Sequence, residues 1–85
     1  MDELKGREVV LDVESMFVYV GTLTEVNDKT AILKNADVHD LRDSATTRER
    51  YVLDSKLHGI RANRKRVMVQ RNQIVSVSLL EDVLA

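Results

Sequence analysis

The sequence predicts a mainly β fold, a small domain of five short strands wound into a strongly curved barrel. Three observations predict it. Apolar and polar residues alternate along several runs of strand length, the period of a half-buried strand rather than of a helix. The longest run, Phe17 to Val26 (FVYVGTLTEV), is rich in β-branched and aromatic residues and carries Gly21 inside it. A glycine in that position marks a bulge, a sharp bend or a close backbone approach. No proline occurs, so no run is disqualified as a strand on that ground. Five short strands with a tight bend in the second make a small barrel.

Taken in order, Val9, Leu11 and Val13 alternate with Val10, Asp12 and Glu14, which gives the first strand. Ser15-Met16 is a short break before the second strand, Phe17 to Val26. Asn27-Asp28-Lys29 is turn chemistry, and a third strand follows over Thr30 to Val38. Residues 39–65 form an insert of different character. Its opening stretch, HDLRDSATT, is polar and loop-like. Thr46-x-x-Glu49 fits a capping box, in which hydroxyl and carboxylate each satisfy a backbone N–H at a helix start. Leu53, Leu57 and Ile60 follow at i, i+4, i+7, and Gly59 stands where a C-terminal cap belongs. The spacing predicts a short helix over Thr47 to His58, although YVLD is also compatible with a strand. Arg66 to Gln70 and Gln73 to Leu80 read as the fourth and fifth strands around the turn RNQ, with Val75, Val77 and Leu79 on one side and Ser76 and Ser78 on the other.

Composition narrows the function classes. A single domain of 85 residues buries only roughly 60–65% of its unfolded surface and is marginal alone. Cysteine is absent, which excludes disulfides, thiolate metal sites and thiol nucleophiles and points to a reducing compartment. With two histidines in the chain, a structural zinc site is not expected either. Neither a membrane-spanning apolar run nor a signal-peptide pattern is present, so a soluble, cytoplasmic protein is expected. Without a staple, oligomerisation is the natural source of further buried surface. Net charge is −1, yet residues 1–47 hold ten acids against five bases and residues 48–85 eight bases against four acids. Such asymmetry can build one acidic and one basic surface. Lys56, Arg61, Arg64, Lys65, Arg66 and Arg71 fall in a run to Leu80 that contains no Asp or Glu.

Two segments resemble the Sm/LSm family. Gly6 to Val38 is similar to its first motif, through Gly6, then Val9, Leu11 and Val13, then Tyr19-x-Gly21-x-Leu23, and LKNAD over Leu33 to Asp37. VMVQRNQIVSVSL, Val67 to Leu79, resembles the second motif, with the insert in the position of the family's variable loop. The resemblance implies a short N-terminal segment and a five-stranded, highly bent sheet closed into an open barrel. It also implies a ring in which the fourth strand of one subunit pairs with the fifth of the next. Val67, Met68 and Val69, and Ile74, Val75 and Val77, are the edges that would do so. Neither edge carries the proline or inward-facing charge that blunts a strand edge. A contact of that kind is heterologous and must close into a cycle or run on as a filament.

Members of the family bind single-stranded, usually uridine-rich, RNA. The resemblance places the acid of their first turn at Asn27 or Asp28 and their base-reading Asn at Thr30 or Ala31. Their Arg-Gly pair falls on Gln70-Arg71, followed by Asn72, so the cation comes one place late and the glycine is lost. Arg61, Arg64, Lys65 and Arg66, with Arg71, would form around a ring a basic band for a phosphate backbone, salt-sensitive and weakly selective. The alternative use of such a ring is as a structural or protein-interaction scaffold, its cations solvated or paired with a neighbour's acids. His39 and His58 read as surface or capping residues, and Asp37, His39 and Asp40 are a weak metal signal. Phe17 and Tyr19 read as barrel residues and Tyr51 as the aromatic available to a partner. No catalytic spacing, paired-carboxylate pocket or glycine-rich phosphate loop is visible, so neither an enzyme nor a cofactor is expected.

Overall fold

The computed structural model describes residues 1–43 and 45–85. Strands β1 (Glu8–Val13), β2 (Phe17–Val26), β3 (Thr30–Asp40), β4 (Arg64–Gln70) and β5 (Ile74–Leu79) form one antiparallel sheet in the order β4-β3-β2-β1-β5. A helix, α1 (Arg48–His58), fills the insert. Strands β4 and β5 each have a single neighbour, so the barrel stays open between them. The short N-terminal segment is a single 3-10 turn, Asp2–Leu4.

The alternation that predicts β1 and β2 sorts side chains onto two faces. Val9, Leu11, Val13, Leu23, Ala31, Leu33, Ala36 and Val69 fill the barrel, with Phe17 and Tyr19 packed against them as expected. On the opposite face Val10, Val18 and Val20 meet Val52 of α1 and Leu80. The sheet is thus covered on both sides where β1 and β2 cross the middle. Leu11, Leu23 and Leu33 are fully buried and contribute roughly 1.5–3 kcal/mol each.

Gly21 makes the curl possible through close approach. A Cβ there would stand 3.0 Å from Ala36 Cβ, 3.1 Å from Ala36 Cα and 3.2 Å from the Lys34 carbonyl. The register between β2 and β3 slips at this point, between Val20 and Thr22, and Asn35 takes φ 48° on the facing strand. Asn tolerates such backbone where a bulky residue does not.

Several expectations need correction. β3 runs on to Asp40 because it stays paired with β2 through Val18–His39 and Phe17–Asp40, and β4 begins at Arg64 because its ladder with β3 continues through Lys34–Arg66 and Ala36–Arg64 without any apolar alternation to reveal it. His39 and Asp40 are therefore strand residues; Ser44, in the predicted polar loop, lies outside the described residues. The cap of α1 is Thr47, whose hydroxyl accepts from the Arg50 N–H at 3.2 Å, so a simple N-cap stands one residue after the Thr46 expected to open a capping box with Glu49. The packed face of α1 is Tyr51, Val52 and Ser55, while Leu57 is exposed. Helix alternation alone did not say which stripe meets the sheet. Gly59 does cap the helix, at φ 90°, with its N–H on the Ser55 carbonyl. Finally, the β1–β5 register slips between Asp12 and Val13, so Ile74 takes the barrel side with Val77 and Leu79. Val75 is left on the bulge, 65% exposed.

Candidate nucleic-acid interface

The turn between β2 and β3 is built by Asn27. Its Oδ1 accepts from the Lys29 N–H at 2.8 Å and the Thr30 N–H at 3.0 Å, the self-capping that makes Asn a turn residue. The turn between β4 and β5 is one 3-10 turn, Arg71–Gln73. The two turns are stitched together. Arg71 donates from its backbone N–H to the Lys29 carbonyl at 2.8 Å and from Nη1 to the Asn27 carbonyl at 2.9 Å. Gln70 faces Thr30 across the ladder. The fold therefore gathers Asn27, Asp28, Thr30, Gln70, Arg71 and Asn72 from two distant stretches of sequence at one end of the barrel. Arg71 is half-buried and has no carboxylate partner among the described residues, and Lys29 adds an exposed cation that the motif comparison does not mark.

Arg61, Arg64, Lys65 and Arg66 lie elsewhere. Arg64 and Gln70 bound β4, and at a rise of ~3.3 Å per residue the ends of a seven-residue strand stand roughly 20 Å apart. One chain accordingly holds two basic groups and no continuous band. Arg66 sits directly opposite Lys34, and Arg64, two residues earlier on β4, is opposite Ala36. Like charges facing each other across a ladder are destabilising. No acid among the described residues pairs with Lys34, Arg61, Lys65 or Arg66, and Arg64 donates only to the Asn63 carbonyl. Lys34 was missed because nothing but strand register places it beside Arg66.

The return from the insert is held by Asn63, another residue with no sequence signal. Its N–H donates to the Ala36 carbonyl at 2.9 Å, its Nδ2 to the Val38 carbonyl at 3.0 Å, and its Oδ1 accepts from the Val38 N–H at 2.9 Å. The side chain thereby extends the ladder past the strand and fixes where the cations begin.

The aromatic and acidic residues of the insert are occupied. Tyr51 donates its hydroxyl to Asp37 at 2.5 Å and stacks on His39, with ring centroids 4.0 Å apart and planes 8° from parallel. Burial, then the bond to Asp37, raises the Tyr51 pKa well above the ordinary phenol value. Tyr51 is thus a docking residue of α1, which corrects its reading as the aromatic free for a partner. His39 is likewise no simple surface residue, since its Nε2 is buried without a hydrogen-bond partner. Asp40 is held by Arg42 through two side-chain bonds at 2.9 and 2.8 Å, which lower its pKa to about 2. Among the described residues no three His, Asp or Glu are grouped to hold a metal, and no helix is long and apolar enough to cross a membrane.

Five antiparallel strands, strongly bent and open between the fourth and fifth, with two turns meeting at one end, define an Sm-like fold. No protein-family model matches the sequence, nor does any curated protein. Among solved structures, the chain is similar to the Sm protein of Pyrococcus abyssii in complex with a uridine heptamer, with a TM-score of 0.63 and 10% identity over 92% of this chain and 89% of that one. It is also similar to a chain in the crystal structure of the NatC complex bound to CoA, with a TM-score of 0.60 and 13% identity over 92% of this chain and 80% of that one.

Proposed function

We propose that this chain is an Sm-like subunit that closes with copies of itself into a ring and binds single-stranded RNA, weakly selective for sequence, through basic residues. The observation that carries the reading is the reach of Arg71 across to the Asn27 turn. It sets an uncompensated cation among exposed polar groups at one end of a barrel resembling the Sm protein solved with a uridine heptamer. Arg71 spends one guanidinium N–H on a backbone carbonyl, which orients the fork and leaves other donors for a phosphate or a base. Thr30, Asn72 and the Asn27 Nδ2 are the nearby groups for base edges. Tyr19 lines a cleft with Gln70 and Gln73, so it and the Arg71 plane are the surfaces for base stacking, and selectivity is low. Arg61, Arg64, Lys65 and Arg66 serve the backbone of a longer strand. Assembly is supported by the two open edges, where unpaired N–H and C=O groups favour strand addition. The reading assigns the ring to the cytoplasm and gives it no catalytic step.

A second reading, a ring that scaffolds other proteins without nucleic acid, is favoured by the replacement of Arg-Gly by Gln70-Arg71 and by the likeness to a chain of the NatC complex. Fluorescence anisotropy with oligo-U, oligo-A and oligo-dT at two salt concentrations separates the two. The RNA reading requires binding at low salt that weakens steeply with added salt. An assembled ring that binds none of the three at low salt establishes the scaffold instead.

A further inference from the structure

We infer that the cleft between α1 and β3 holds one nucleotide of a bound single strand and favours a base that carries an amino group, cytosine or adenine, over uracil. The inference rests on the RNA reading and adds to it a base-selecting site away from the turn end of the barrel. The cleft has a volume of about 430 Å³, within the range of small-ligand sites. Asp37 of β3 and Tyr51 and Ser55 of α1 form its less exposed part, and His58, Gly59 and Arg61 its exposed mouth. Asn63 fixes that mouth beside Asp37, because it bonds to Ala36 and Val38 on either side of Asp37 and follows Arg61 by two residues.

Hydrogen bonding sets the polarity that a ligand must have. The Tyr51 hydroxyl donates to Asp37 Oδ2 at 2.5 Å, and Ser55 Oγ donates to the Tyr51 carbonyl at 3.2 Å. A hydroxyl has one proton, so both donors of the inner cleft are spent. What remains there accepts: Asp37 Oδ1, which has no partner among the described residues, and lone pairs on the two hydroxyl oxygens. The wall adds little net charge, since Arg50 Nε lies 3.3 Å from Asp54 Oδ1. The mouth has the opposite character. Arg61 has no acid partner among the described residues and belongs with Arg64, Lys65 and Arg66 to the basic group at this end of β4. A ligand that suits the cleft therefore donates at its inner end and is anionic at its outer end. A nucleotide with its base inward and its phosphate at Arg61 meets both demands, and the next phosphates of the strand fall to Arg64, Lys65 and Arg66. The base decides the fit. Cytosine and adenine present an amino group that a carboxylate can accept from, and Asp or Glu on the cytosine amino group is a recurrent readout. Uracil carries a carbonyl oxygen where cytosine has the amino group, so against Asp37 two acceptors face each other with no proton between them.

Anisotropy at low salt with labelled oligo-C and oligo-U of equal length tests the selection. The unsubstituted protein should bind oligo-C at least about fivefold more tightly, the lower end of what one well-made base contact discriminates. Asp37→Asn keeps an oxygen to accept from Tyr51 but offers the base an amide N–H as well, so the ratio should fall to about one. Arg61→Ala should weaken both oligonucleotides alike. An oligonucleotide of N4,N4-dimethylcytidine, whose base has lost its amino protons, should bind the unsubstituted protein no better than oligo-U, a result independent of any effect of substitution on folding. Equal binding of oligo-C and oligo-U, or a preference that survives Asp37→Asn or dimethylation, overturns the cleft assignment and leaves the RNA reading standing. If neither oligonucleotide binds, the RNA reading has failed and the cleft with it.

Discussion

Replacing Arg64, Lys65 and Arg66 together by Ala tests the second basic group with a magnitude that the structure supplies. All three side chains are exposed and none is held by a carboxylate among the described residues, so each is available to neutralise a phosphate. For single strands, each neutralised phosphate contributes about −0.7 to the slope of log K against log salt. Losing three flattens that slope by about 2, so between about 50 and about 200 mM salt the unsubstituted protein should lose roughly twentyfold more affinity than the variant. Folding should survive, because the change also removes the unfavourable facing of Arg66 and Lys34. The measurement is anisotropy of a labelled oligo-U across a salt series, with native mass confirming that the variant still assembles. Arg71→Ala, by contrast, should flatten the slope by only about 0.7 but weaken binding even to a short oligonucleotide. An unchanged slope in the triple variant would show that the RNA never reaches this end of β4.

Three further predictions concern the scaffold. Gly21→Ala inserts a methyl 3.0 Å from Ala36 Cβ and should cost about 1–3 kcal/mol, read as a fall of roughly 4–20 °C in Tm at fixed chain concentration; an unchanged Tm would mean that β2 and β3 do not meet there. Tyr51, with its pKa raised by burial and by Asp37, stays protonated in the fold at pH values where the unfolded chain ionises. Stability is therefore fully present below about pH 10 and falls as pH rises above it. Tyr51→Phe should flatten that decline, and the phenolate signal that this substitution removes from the native chain should be one that ionises late; a removed signal that ionises near pH 10 contradicts the docking of Tyr51. Val75→Pro removes an N–H from the open edge at the bulge, where Val75 has no paired residue on β1, and should reduce the proposed ring to smaller species by light scattering. A full oligomer from that variant speaks against strand addition at β5. Proline at Val69 is the poorer probe, since Val69 pairs with Ala31 inside the chain.

Local chemistry accounts for what the sequence by itself determined. Period-2 alternation placed β1, β2 and the cores of β4 and β5, Asn27 announced its turn, and Gly59 marked the end of α1, because strand pleat, self-capping and positive φ act within a few residues. The tertiary structure alone decided whatever depends on register between distant segments. It put Arg66 against Lys34, moved Val75 out of the barrel at a bulge, set Arg71 on the Asn27 carbonyl and parted the cations to the two ends of β4. It also chose Tyr51, Val52 and Ser55 as the docked stripe of α1, because the helix follows the apolar patch of Val10, Val18 and Val20 on the sheet's second face. A single chain's pattern shows which residues are apolar; only the pairing of strands shows what each of them is apolar against.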